Sequence, residues 1–130
     1  MPAIPTGSYR LAEQIGGWAV YADLTLSPIA RGTDRPLVTV ADGVVVDDYG
    51  QDVASIGLGV AYALTCIPES DEMGVIVQRL HTNPVDTTPM ALAFAACHAT
   101  LDCFNKKLDR LPYLDRETRS FVFPARGPAD

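Results

Sequence analysis

The 130-residue chain has no uninterrupted apolar run near the roughly 18 residues that cross a bilayer, which excludes a helical membrane span. Its first residues, Met1-Pro2-Ala3-Ile4-Pro5, lack both the basic and the apolar regions of a secretory signal, so a cytoplasmic location is expected. Basic side chains are scarce. Ten Lys and Arg stand against sixteen Asp and Glu, for a formal charge of −6 and a pI near 4.7. Binding to free nucleic acid is therefore not expected. Cysteine is limited to Cys66, Cys97 and Cys103, an odd count with no CxxC pair. That is poor material for a disulfide framework or a closed zinc site, and buried thiols are expected. No GxxxxGK[ST] phosphate loop, GxGxxG fingerprint, GxSxG elbow or HExxH pair occurs.

What is present is a core. The composition is 48% hydrophobic and 20% charged, with ten Gly and ten Pro. A chain of this size and composition buries enough surface to fold as one domain without staples. That domain is expected to span residues 1–130, with its core from about 14 to 123 and both ends peripheral. Charge is uneven along it. Residues 1–105 carry four basic and twelve acidic side chains, whereas residues 106–130 carry six basic and four acidic ones. The basic end reads as a solvated helix end and tail.

Residues 18–26 alternate, with Trp18, Val20, Ala22, Leu24 and Leu26 on one face, and predict a half-buried strand ended by Ser27-Pro28. Residues 31–36 read as a turn. Residues 37–41 are β-prone, and Asp42-Gly43 marks a turn or bulge before Val44-Val45-Val46. Val53, Ile56, Val60 and Leu64 predict a helix over 52–66, in which Gly57 and Gly59 would let it lie close to a sheet. Residues 75–80 predict a third strand. Thr88 as N-cap and Pro89 as first helical residue open a second helix. Met90, Phe94, Cys97, Leu101, Phe104 and Leu108 form its apolar stripe, over about five turns to Pro112. A short last strand is expected at 120–123.

Chemistry is sparse. His98 has Asp102 one turn away and Cys97 beside it, but Cys97 lies on the stripe and His98 is turned about 100° from it. The reading is a boundary histidine beside a surface aspartate. A metal site of His81, Asp86 and His98 would require a loop and a helix to converge, and it is set aside. Asp47-Asp48 and the acidic 69–72 run read as solvated loops. No catalytic residue, cofactor or metal is assigned, and the chain is expected not to be an enzyme or to bind GTP.

Three strings, in order, resemble domain IV of elongation factor G. Gly16-Gly17-Trp18-Ala19-Val20-Tyr21-Ala22 is similar to its glycine-rich loop and first strand. Asp42-Gly43-Val44-Val45-Val46-Asp47-Asp48-Tyr49, with the helix ending Gly59-Val60-Ala61-Tyr62-Ala63-Leu64, is similar to its next landmark. Pro84-Val85-Asp86-Thr87-Thr88-Pro89-Met90-Ala91 and the alanine-rich run after it resemble its hairpin exit and long helix. The likeness covers residues from about 14 to 108. It implies an α+β fold: a split β-α-β sandwich, with an approximately four-stranded sheet and two helices on one face.

The resemblance also implies that the loops at 16–19 and 81–86 share one tip, with Gly16, Gly17, Trp18, His81, Asn83 and Asp86 as binding residues. The partner it implies is the ribosome or a translation protein. The chain departs from the family at Trp18, where the family carries an arginine, and at Asn83, which occupies the place of the family's tip histidine. The alternative is the same scaffold reused as a homo-oligomeric protein-binding domain or a small enzyme. Trp18 itself is read as the start of its strand's buried face, because it alternates with Val20 and Ala22.

Overall fold

Alternation near the N-terminus belongs to a longer hairpin than the sequence predicts. In the computed structural model, which describes residues 6–30, 35–47, 49–67 and 72–124, the first element is β1 (Gly7–Ile15). Residues 7–13, expected to be peripheral, are thus part of the sheet. Tyr9, Leu11 and Ile15 do alternate, but the intervening Glu13 interrupts the apolar series. It is tolerated at the margin because Arg116 pairs with it.

β1 turns through Gly16-Gly17 into β2 (Trp18–Ala30), with Ile15 opposite Trp18. Gly16 has φ 61°, the positive angle that the first position of a type II′ hairpin turn requires. β2 continues through Pro28, where the sequence predicts an end. β1 stops at Gly7 opposite Leu26, so at Pro28 the missing N–H removes no ladder bond on that side.

β3 (Val38–Val40), α1 (Gln51–Thr65) and β4 (Met73–His81) follow. Val44–Val46 forms no strand, and Val45 is exposed. The sheet order is β1-β2-β4-β3, antiparallel except for the parallel β3/β4 pair that α1 connects. The first four residues of the expected 31–36 turn, together with Asp48, Pro68 and the 69–71 part of the acidic run, lie outside the described residues.

Asp47 caps α1. Its carboxylate accepts from the N–H groups of Gln51 (3.1 Å) and Asp52 (2.7 Å), and Asp52 accepts in return from the Asp47 N–H. These bonds to the charged form hold the Asp47 carboxyl below the usual carboxylate range.

α2 (Pro89–Cys103) begins as expected: Thr88 Oγ1 accepts from Ala91 N–H at 3.1 Å, and Pro89 fills the first turn. It ends earlier than the apolar spacing predicts. Asn105 adopts φ 53°, Asn105 N–H bonds Asp102 O, and Lys106 N–H bonds Leu101 O at 2.8 Å. This is a Schellman closure with asparagine in the left-handed position. Phe104 and Leu108 therefore lie beyond the helix.

The expected stripe also divides. Leu92, Ala95, Ala96 and Ala99 face Ala22, Leu24, Leu26, Val75 and Val77 of the sheet, together with Ile56 and Val60 of α1. Phe94 packs with Leu11 and Val20, while Cys97 and Leu101 pack with Ala63 and Ile67. Met90, expected in the core, is 46% exposed.

Gly59 explains the helix pairing. A Cβ there would lie 2.0 Å from Ala93 O, so the close approach is between α1 and α2 and not to the sheet. At Gly57 the nearest atom would be Val38 Cγ2, at 3.9 Å.

Both helices cover one face of a four-stranded sheet, the split β-α-β sandwich of the sequence reading. The last strand is not a member of that sheet. β5 (Tyr113–Asp115) and β6 (Ser120–Val122) form a separate hairpin against the aromatic corner of the core. Among the described residues, no helix is long and apolar enough to cross a membrane.

Candidate functional site

The β1–β2 hairpin extends beyond its neighbour. β4 ends at His81 opposite Asp23, whereas β2 continues from there to Trp18 and the Gly16-Gly17 turn. The chain leaving β4 folds back along this overhang. Tyr21 N–H donates to Asp86 O at 3.1 Å, and Thr87 Oγ1 donates to Tyr21 O at 2.6 Å. The 81–86 loop is thereby fastened to the strand that carries the 16–19 loop, and both lie at one end of the sheet.

Asn83 organises this loop from inside. Its Oδ1 accepts from the N–H groups of Val85 (2.8 Å) and Asp86 (3.1 Å), and its own N–H donates to Thr87 Oγ1 at 2.7 Å. An Asx side chain that bonds the backbone two and three residues on fixes a tight turn. Asn83 is a bracing residue, and the side chain left at the loop's apex is Val85, 85% exposed. Asp86 contributes through its carbonyl.

His81 is exposed, opposite Asp23 on the face of the sheet away from the helices. Asp23 is nearly buried and is gripped by both Arg79 guanidinium nitrogens at 2.9 and 2.8 Å. The Arg79 hydrogen bonds hold the Asp23 carboxyl below its ordinary value, with further help from the Arg79, His81 and Arg10 charges.

Trp18 lies on the helix side of β2, half-buried, with its ring 6.4 Å from that of Phe121. The hairpin that supplies Phe121 also brings two arginines to the tip. Arg116 pairs with Glu13, and the Arg119 guanidinium lies so near Gly16 that a Cβ there would sit 3.1 Å from it. The sequence reading places these arginines in a solvated tail. The signal that could have located them is the basic excess after residue 105.

The other weighed groups do not converge. His98 stacks on Tyr9 at 4.6 Å and meets Phe94 edge-on, with Nε2 3.0 Å from Pro112 O. Burial pushes its pKa down, while the Pro112 bond raises it. Asp102 accepts from Ser8 N–H at 3.1 Å. Cys97 is buried against α1. Burial, with the Asp102 charge, pushes the Cys103 thiol up to about 11, so it stays protonated at neutral pH. Among the described residues, no three His, Cys, Asp or Glu side chains gather to hold a metal ion.

No family model matches the chain, and no curated protein matches it. Among solved structures, it resembles a crystal structure of a Thermus thermophilus protein, with a TM-score of 0.52 and 18% identity. The match covers 77% of this chain and 15% of that one, so this chain corresponds to a small part of a much longer protein. At that identity the likeness is one of fold.

Proposed function

We propose that the chain is a non-catalytic binding module of the elongation factor G domain IV type. In this reading it docks on the ribosome or a translation protein through the 16–19 and 81–86 loops. The observation that carries the reading is Tyr21, whose N–H and C=O are both bonded by the second loop. Two segments some sixty residues apart in sequence are thus braced into one edge. A braced edge loses less conformational entropy on docking than two mobile loops would.

Charge and shape refine it. Arg116 is engaged by Glu13 and Trp18 by Phe121, which leaves Arg119 and the exposed His81 and Val85 as the tip's contact groups. Few phosphates would be neutralised, so binding depends only shallowly on salt.

Cosedimentation with purified ribosomes at low and moderate salt tests this. Wild type is expected in the ribosomal pellet, with Val85→Asp and Arg119→Glu largely released and their circular dichroism unchanged. Wild-type protein that stays in the supernatant at every salt concentration removes the ribosome as partner.

A further inference from the structure

Among the described residues β1 is an edge strand, paired with β2 alone. Ser8 stands opposite Thr25, and its N–H points outward, donating to Asp102 Oδ2 at 3.1 Å. Outward residues alternate along an antiparallel ladder. The N–H and C=O of Arg10 and Ala12 therefore also point away from β2, and among the described residues they have no hydrogen-bond partner. Beside them lies a groove of about 590 Å³, bounded by β1 on one side and by Pro112, Tyr113 and Leu114 on the other. Phe94 and His98 of α2 also line it.

We propose that this groove takes an extended peptide as an added strand on β1, with apolar side chains against Tyr9 and Tyr113 and an acidic side chain opposite Arg10. Unpaired ladder groups dictate the extended backbone, because an edge strand with open N–H and C=O groups templates another strand. The two faces of β1 dictate the side-chain pattern. Tyr9 and Leu11 lie on the helix side with the core clusters, whereas Arg10 lies on the other side, opposite Asp23.

Charge complementarity selects the acidic residue. Asp23 is already held bidentately by Arg79, and Arg10 has no carboxylate within ion-pair distance among the described residues. A carboxylate on the added strand, directly across from Arg10, would supply one. The ends of the open stretch are marked by Asp102 capping Ser8 and by the Arg116–Glu13 pair. The groove adjoins the tip at Glu13, but none of residues 16–19 or 81–86 lines it.

Fluorescence anisotropy of the full chain with a labelled peptide, Ser-Val-Glu-Val-Thr-Val-Ser, and its Glu-to-Lys counterpart tests the proposal. The Glu peptide is expected to bind at least tenfold more tightly than the Lys peptide, and Arg10→Glu to reverse that order. Ala12→Pro removes one outward N–H at an edge position where proline is tolerated. It is expected to weaken the Glu peptide at least tenfold with unchanged circular dichroism. If Ala12→Pro fails to fold, the charge reversal at Arg10 decides alone. Val85→Asp and Arg119→Glu should bind the peptide as wild type does, which separates this site from the tip. Absence of saturable binding, or equal affinity for the two peptides, overturns the proposal. So does a concentration-dependent dimer in sedimentation velocity that Ala12→Pro dissociates, since the occupant would then be a second copy of the chain.

Discussion

Two regions of the core are built on opposite principles. Where α1 crosses α2, and where β1 passes the end of α2, backbone approaches backbone. Added Cβ atoms would lie 2.0 Å from Ala93 O at Gly59 and 2.1 Å from Ala99 O at Gly7. At the other corner, Tyr9, Phe94, His98, Phe121 and Phe123 meet ring to ring, with Phe94 4.8 Å from Phe121 and 6.4 Å from Phe123. The first region holds by what is missing from its side chains, and the second by their bulk. Addition should break the one and deletion the other.

The sharpest break is Gly59→Ala. One methyl group must push α1 off α2, and the loss should reach about 5 kcal/mol, comparable with the whole stability of a small domain. Chemical denaturation would check it, and a near-native midpoint would show that the helices can separate cheaply. Next is deletion at the other corner: Phe94→Ala should cost about 3–5 kcal/mol by the same measurement. Phe121→Ala removes a half-buried ring and should cost about 1–2 kcal/mol, less than full burial of an aromatic contributes. Gly57→Ala sharpens the comparison from within α1. Its added methyl group meets nothing closer than 3.9 Å, so helix propensity should dominate and stabilise by about 1 kcal/mol. A destabilised Gly57→Ala would mean that the whole helix, and not one crossing point, demands small residues.

The smallest effect is electrostatic. Burial lowers the pKa of His98 in the folded state below its ordinary 6.5. The unfolded chain then binds the extra proton first, so stability is complete above about pH 6.5 and declines as pH falls toward the folded value. Thermal midpoints across pH 5 to 8 should show this decline, and His98→Gln, which keeps a donor toward Pro112 but does not titrate, should flatten it.

Legibility followed the locality of the signal. The start of α2 was readable because Thr88 and Pro89 act on their own turn. Its end was not, because Phe104 and Leu108 continue the apolar spacing past the point where Asn105 reverses the backbone. The sheet-facing row of α2 is hard to read because three of its four residues, Ala95, Ala96 and Ala99 beside Leu92, are alanines, which apolar periodicity weights less than Met90 or Leu108. β1 was hidden by Glu13, whose partner Arg116 lies about a hundred residues away. At the tip, only the resemblance to elongation factor G implies that two loops meet; the hydrogen bonds that fasten Tyr21 to Asp86 and Thr87 have no signature in the residues themselves. No local pattern could indicate that Arg119 comes to rest on Gly16, since that contact depends on how the β5–β6 hairpin docks.

That hairpin also sets an order of events. The main sheet and both helices are complete by residue 103, yet Phe94 and Trp18 receive Phe121 and Phe123 only once the chain has been made to residue 124, where Pro124 O accepts the Tyr62 hydroxyl. Until then a growing chain carries an uncovered aromatic corner, the kind of surface that draws folding intermediates into aggregates. The last segment is a fastener applied after the garment is sewn: it adds no strand to the main sheet, and it closes the corner beside the tip.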